Sequence, residues 1–385
     1  MSIKRALPVT LVSLLLIFMG FTAGFYTQTW FRKDRSQFPI LDQAYQILSN
    51  HSLQELPEAP ALEYGMIRGL LQASGDPYAV FLEPILHELE TDSLEGNFGG
   101  IGVELVRAEN GDLLLYPYPE SPAAVAGVRA GDQLLTVDGM AITSEMPIET
   151  IQAAIRGGID ETVRITVSRK PGRTPLDFEI ARKEMPLPSI TWRVHPESPS
   201  LGIIKLNVIA SSTLEEILHA VDELKDQGAS GYILDLRDNG GGLLSESIEI
   251  TRLFLARGEI LEQQYRGQPV DSYSVEEPGL LKDLDMVVLV NENTASAAEI
   301  IAGALKANDR APIIGTPTLG KDSIQLVFDL DDGSSLHITA ARWWVPGLEP
   351  PIGDHGIQPD ITIPADVQGA DPALKAAVDL LSHGR

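Results

Sequence analysis

Apolar and polar positions change texture several times along this chain. Residues 6–31 form an uncharged run whose centre, residues 11–21, is strongly apolar; Lys4 and Arg5 precede it and Arg32, Lys33 and Arg35 follow. The run is long enough to cross a bilayer as a helix. Tyr26, Trp30 and Phe31 would suit the far interface. An uncleaved membrane anchor is expected, with a cleaved signal peptide as its rival, for which Thr22-Ala23-Gly24 is a weak cleavage site. Residues 38–95 show helical spacing, first at Leu41, Ala44, Tyr45 and Leu48, then at Met66, Leu70 and Leu71, with a turn at Gly75-Asp76-Pro77. Packing or dimerisation is the role expected there. From about residue 200, strand and helix patterns alternate: 201–208 strand, 212–224 amphipathic helix, 232–236 strand, 248–255 helix, 286–290 strand, then an Ala-rich helix from Ser296. This order predicts an α/β layer with some parallel strands.

The length of 385 residues predicts two or three domains, and 44% hydrophobic residues supports a folded chain. A formal charge of −25 argues against a nucleic-acid partner. The absence of cysteine excludes disulfides, thiolate nucleophiles and Cys-ligated metals. No metal and no cofactor are expected.

Between these textures lies a Gly-rich region. Residues 98–105, Phe-Gly-Gly-Ile-Gly-Val-Glu-Leu, read as a loop entering a strand, and residues 112–118 as its partner after the Asn110-Gly111 turn. Ser121-Pro122 opens a short helix closed by Gly127, followed by a turn at Gly131-Asp132, a buried strand, a helix over 147–156 and a strand over 162–169. This order and spacing resemble a PDZ domain. The resemblance implies that Gly99, Gly100, Ile101 and Gly102 offer amides to a peptide's terminal carboxylate while the peptide adds to the sheet edge. The alternative is that the glycines only make a tight turn.

The residues with the most chemical promise sit at the carboxyl ends of predicted strands, where functional loops of α/β sheets lie. Ser296 falls at the start of the Ala-rich helix, beside free amides and the positive helix end. Ser296-Ala-Ala-Glu299 is equally a capping box. A serine nucleophile needs a base. The seven histidines show no partner at a recognisable spacing: His87 and His219 lie on amphipathic helices, His337 alternates in a strand, and each reads as structural or solvated. Lysine is the other base that works, when burial keeps it neutral. Lys321 sits in a short Gly-flanked loop between strands.

Residues 74 to 363 resemble the C-terminal processing peptidases, or tail-specific proteases. The matching motifs occur in the family's order: Ser74-Gly-Asp-Pro-Tyr78, Phe98-Gly-Gly-Ile-Gly102, the PDZ stretch, Asp235-Leu-Arg-Asp-Asn-Gly-Gly-Gly242, Asn293-Thr-Ala-Ser-Ala-Ala-Glu-Ile300, Leu319-Gly-Lys-Asp-Ser-Ile-Gln325 and Gly356-Ile-Gln-Pro-Asp360. The resemblance implies a crotonase-like α/β core and a serine endopeptidase acting through an acyl-enzyme. In it Ser296 is the nucleophile, Lys321 the base and Gln325 the residue orienting the lysine. The amide of Ala297 is one oxyanion donor, and Gly241 or Gly242 supplies the other. The PDZ domain gates access for proteins with exposed C-termini. Thr294 and Ala298 replace the family's outer serines, and Leu319 replaces a phenylalanine. Asp322 stands where a glycine usually follows the lysine; facing the ammonium it would weaken the base, but in an extended segment it should face away.

The expected layout is therefore a membrane anchor or signal segment over 1–35, a helical region over 36–95, a PDZ domain over 96–172, a peptidase core over 173–370 and a tail over 371–385. The catalytic part would be extracytoplasmic on a single-pass cell-membrane protein, or secreted after signal cleavage. A homodimer through the N-terminal helices is what the resemblance suggests. The competing reading is a catalytically silent PDZ scaffold that binds protein C-termini, its base disabled by Asp322.

Overall fold

The computed structural model describes residues 38–108, 110–169, 174–363 and 371–383. The expected anchor lies outside the described residues; among them, no helix is long and apolar enough to cross a membrane. Helix α1 (Pro39–His51) begins with proline in its first turn, where the missing N–H costs nothing. It buries no residue, leaving Ile40, Leu41, Tyr45 and Leu48 exposed. Helix α2 (Ala59–Ser74) follows.

Strand β1 (Val80–Leu82) and helix α3 (Pro84–Glu95) lead into β2 (Asn97–Gly100). Gly96 closes α3 with φ of 76°, a left-handed cap that glycine adopts without Cβ strain.

The next region is a small antiparallel sheet with two helices. Its elements are β3 (Val103–Arg107), β4 (Leu113–Pro117), α4 (Pro122–Ala126), β5 (Asp132–Val137), β6 (Met140–Ala141), α5 (Ile148–Ile155), β7 (Thr162–Ser168) and β8 (Pro175–Ala181). The sheet order is β3-β4-β5-β7-β8, with β6 beside β5. Alternate residues of β4 and β7 point inward, so Leu113, Leu115, Val163, Ile165 and Val167 meet Ile151 and Ile155 of α5 in one core. Asp132 is held there by Arg169, whose guanidinium donates to both carboxylate oxygens and keeps that carboxyl below its usual range despite burial. Two corrections follow for the expected boundary at residue 172. β8 completes this sheet beside β7, and β9 (Lys183–Pro186) pairs back with β2. The expected core over 173–370 includes both strands.

That region is built on a sheet of β10 (Ile190–His195), β11 (Ser198–Leu206), β12 (Gly231–Asp235), β15 (Asp285–Val290), β16 (Ile313–Gly315) and β19 (Ile361–Thr362), in that order. All neighbours are parallel except β10 and β11. Its strands are apolar on both faces because both faces are covered. Ile204, Leu234 and Val288 face α6 (Thr213–Asp226), α7 (Leu244–Phe254) and α8 (Ala297–Ala307). Their sequence neighbours Ile203, Ile233 and Val287 face Ala373 and Ala377 of α9 (Pro372–His383). The segment expected to be a tail is thus a helix on the core. A second sheet, in the order β1-β18-β13-β14, is formed by β1, β13 (Glu259–Tyr265), β14 (Val270–Ser274) and β18 (Ser335–Trp344), with β17 (Ser323–Asp329) against β18.

Candidate active site

The site forms where the two core sheets meet. β12 and β15 are neighbours, so the loops at their carboxyl ends lie side by side. Asp238 in the first loop accepts from Asn291 and Asn293 in the second, at 2.8 and 2.9 Å, and these bonds lower its pKa. Buried Asn239 ties the loops more tightly. Its carbonyl accepts from the amide of Ala295 at 2.9 Å, its side-chain amide donates to Leu206, and its side-chain oxygen accepts from Gly241.

Ser296 stands at the corner between β15 and α8 with φ of 53° and ψ of −121°. A non-glycine residue rarely adopts this conformation, and the surrounding bonds must hold it. Much of that hold comes from Glu299, whose side chain is fully buried. It accepts from the amide of Ser296 at 2.9 Å, the amides of Gly320 and Lys321 at 2.7 and 3.0 Å, and the hydroxyl of Thr318 at 2.5 Å. Burial pushes its carboxyl above the usual value even though these donors oppose the shift. One carboxylate therefore joins the serine corner to the lysine loop. The capping box read from sequence is present, but its glutamate reaches well beyond its own helix.

Lys321 approaches from the other side, between β16 and β17. Its Nζ donates to Oε1 of Gln325 at 2.5 Å, and Nε2 of Gln325 donates to the carbonyl of Tyr78 at 2.5 Å. Burial lowers the lysine pKa from its ordinary value, outweighing the upward pull of Glu90, Asp76 and Glu299. Asp322 is not among the charges acting on it. The Asp322 carbonyl accepts from the amide of Trp343, and its φ is not positive. The position needed no glycine.

A cavity of about 300 Å³ brings the groups together: Ser296, Ala297, Lys321 and Gln325 line it, with Gly240 and Gly242 on the facing turn. Apolar walls come from Leu244, Ile300 and Trp343. The first-turn amide of Ala297 has no helical partner, as is usual at a helix start. Of the two glycines proposed as a second donor, Gly241 is committed, its amide donating to Asn239 at 2.8 Å. A Cβ on Gly241, where φ is 111°, would stand 3.0 Å from the Cβ of Ser296. Gly242 differs. The Gly241 carbonyl and the Leu243 amide both bond Ile209, so in this extended stretch the intervening Gly242 amide points away from Ile209.

The Gly-rich stretch before β3 divides similarly. Gly99 and Gly100 lie in β2, paired with Glu184 and Lys183 of β9. A Cβ on Gly99 would meet the carbonyl of Gly157 at 2.0 Å. Gly99 is therefore a close-approach residue and does not line the adjacent groove. Gly100, Ile101 and Gly102 do line that groove, of about 450 Å³, between β3 and α5. β3 is an edge strand, so its outer rim is open to strand addition.

This arrangement of a PDZ-like module and a serine–lysine corner on an α/β core has clear relatives. Residues 115–169 match the PDZ domain family and residues 200–363 match peptidase family S41. The chain is 36% identical to the carboxyl-terminal-processing protease of Picosynechococcus sp., over 83% of this chain and 79% of that one. It is 31% identical to the carboxy-terminal processing protease CtpA of Bacillus subtilis, over 85% and 69%. Among solved structures, a photosystem II D1 C-terminal processing protease is 31% identical over 88% of this chain and 90% of that one, with a TM-score of 0.46. The chain belongs to peptidase family S41, among the carboxyl-terminal-processing proteases, and is a serine-type endopeptidase.

Proposed function

We propose that this peptidase cleaves proteins presenting an exposed C-terminal tail, with Ser296 as nucleophile and Lys321 as general base. The observation that carries this reading is the chain of hydrogen bonds from Lys321 through Gln325 to Tyr78 on a lysine whose pKa is lowered by burial. A neutral amine has N–H groups to donate and one lone pair. With an N–H engaged by Gln325, the lone pair is left for the Ser296 proton. Oγ attacks the scissile carbonyl carbon while Nζ takes the hydroxyl proton. The resulting oxyanion is held by the amides of Ala297 and Gly242. Collapse breaks the C–N bond, and Nζ returns its proton to the leaving amine. Water then attacks the ester, with Nζ again the base, releasing the acid and restoring the serine.

The tail itself would add to β3, its carboxylate near Ile101 and Gly102. Arg156 at the groove is bonded to Asp92 of α3 at 2.9 Å. The same helix carries Glu90 to the cavity holding Lys321. Tail occupancy could thus gate the cavity through α3. The silent-scaffold alternative required Asp322 to hold the ammonium, and the charges on Lys321 come from other residues.

Activity should rise with pH through one ionisation below the ordinary lysine value, because the base works only when deprotonated. Lys321→Arg should be inactive at every pH, since a guanidinium does not deprotonate. A fluorophosphonate should label Ser296 with the same pH dependence. Labelling that ignores pH, or persists in Lys321→Arg, would refute the dyad.

We further propose that the apolar run over 6–31 anchors the protein with its catalytic part outside the cytoplasm. Pairing of two chains through the exposed apolar face of α1 is also proposed. Release from membranes by detergent alone, with a particle mass of two chains, is the expected result. Release by salt would rule out the anchor, and a single-chain mass the pairing.

A further inference from the structure

Beside the cavity of Ser296 and Lys321, which Glu90 and His337 help to line, two histidines and a glutamate converge from α3 and β18. His87 and Glu90 lie three residues apart on α3, hence on one face of it. His337 lies on β18, where it is flanked by Val80 of β1 and Val327 of β17. One ring nitrogen of each histidine and one oxygen of Glu90 all lie within 4.8 Å of one another. His337 Nε2 is 3.3 Å from Glu90 Oε2. Two ligands at about 2.0–2.1 Å from a tetrahedral zinc ion stand roughly 3.4 Å apart, so this pair already has the edge length of such a site.

A pair of ordinary histidine–carboxylate contacts would account for part of this arrangement, but not for His87. Its Nε2 faces Asp329 Oδ1 at 3.0 Å, which fixes the ring proton on that nitrogen. Nδ1 is then the unprotonated nitrogen, and it is buried with no hydrogen-bond partner. A buried acceptor without a donor is costly. A carboxylate on one nitrogen and a free lone pair on the other is the usual setting of a metal-binding imidazole. We propose that His87, Glu90 and His337 form a site for a zinc-class divalent ion, with Asp329 orienting His87. Two imidazoles and one carboxylate suit zinc, leaving a fourth position for water. The ion would displace the Ser335 hydroxyl, which now lies 3.1 Å from His337 Nε2. Because Glu90 and His337 also wall the cavity of Ser296 and Lys321, the bound ion narrows that cavity and fastens α3 to β18. Its effect is a reversible brake on the peptidase. That part rests on the proposed function; binding does not.

The test uses the full chain, metal-free, titrated with zinc and separately with cobalt. One zinc per chain should be retained after buffer exchange, and cobalt should give the intense visible bands of a four-coordinate site. His337→Gln and Glu90→Gln should each weaken zinc binding by 100-fold or more, and Asp329→Asn by about tenfold. Glu90→Gln guards against a folding defect at the buried histidine. Failure to retain zinc, or retention indifferent to all three substitutions, overturns the site. Peptide turnover by the wild type should fall at least tenfold with zinc and recover with chelator. Binding without a change in turnover overturns the brake alone. A metal-free protein with no turnover would count against the proposed peptidase chemistry, while the binding result still decides the site.

Discussion

Ser296→Ala should lower kcat/KM for an unstructured peptide with an apolar C-terminal tail by at least about 10⁴-fold. The size follows from what the hydroxyl does. On the proposed mechanism, without Oγ there is no acyl-enzyme and Lys321 has only water to activate, while the amides of Ala297 and Gly242 would still polarise the carbonyl. That residual polarisation is why the loss is not total. Folding should be unaffected. The strained corner is held by the amide of Ser296 on Glu299 and by the turn of Asn239, and alanine keeps both sets of bonds. An unchanged circular dichroism spectrum with turnover lost is the expected combination. Turnover within tenfold of the wild type would remove Ser296 from the mechanism.

Glu299→Ala should be the most damaging substitution for stability near the site, costing on the order of 4 kcal/mol in urea unfolding. Three backbone amides and the Thr318 hydroxyl lose their acceptor together in a region without solvent. Each stranded group costs about 1–3 kcal/mol, and water entering the vacated space recovers part of the sum. Turnover should also fall by more than about 100-fold, because both the serine corner and the lysine loop lose the group that sets their separation. Glu299→Gln should recover less than half of the stability, since its NH₂ would point at amide donors. A loss below about 1 kcal/mol with normal turnover would show that the clamp is dispensable.

Ser296, Lys321 and Gln325 were grouped by the family resemblance, since Ser296 alone reads equally as a cap, and the three line one cavity. The strand, corner and helix around Ser296 were legible locally: β-branched residues, then polar ones, then alanines. The pair Gly241 and Gly242 was legible only as a pair. Which amide is spare depends on Asn239 and Ile209, whose contacts arise in three dimensions. Glu299 was read as a cap because its bond to Ser296 lies within one turn; its partners Thr318, Gly320 and Lys321 come from another loop. Asp322 is expected from the alternation of an extended segment to face away from Lys321, and it is not among the charges acting on that lysine. The pairing of Gly99 with Glu184 was not legible, because β9 comes only after the whole intervening sheet. His337 was set aside for want of a neighbour in sequence. Its neighbours, His87 and Glu90, sit on a helix far earlier in the chain.

The fastening of Gln325 to the Tyr78 carbonyl carries a further consequence. These residues are 247 positions apart, and Thr339 closes on Asp76 across a similar span. The lysine and its glutamine are made late and must find a carbonyl made early, so the setting of Lys321 is a product of long-range folding. Until then solvent, and not burial, surrounds the amine. On the proposed mechanism, the dyad is complete only once segments before and after the PDZ-like sheet have met.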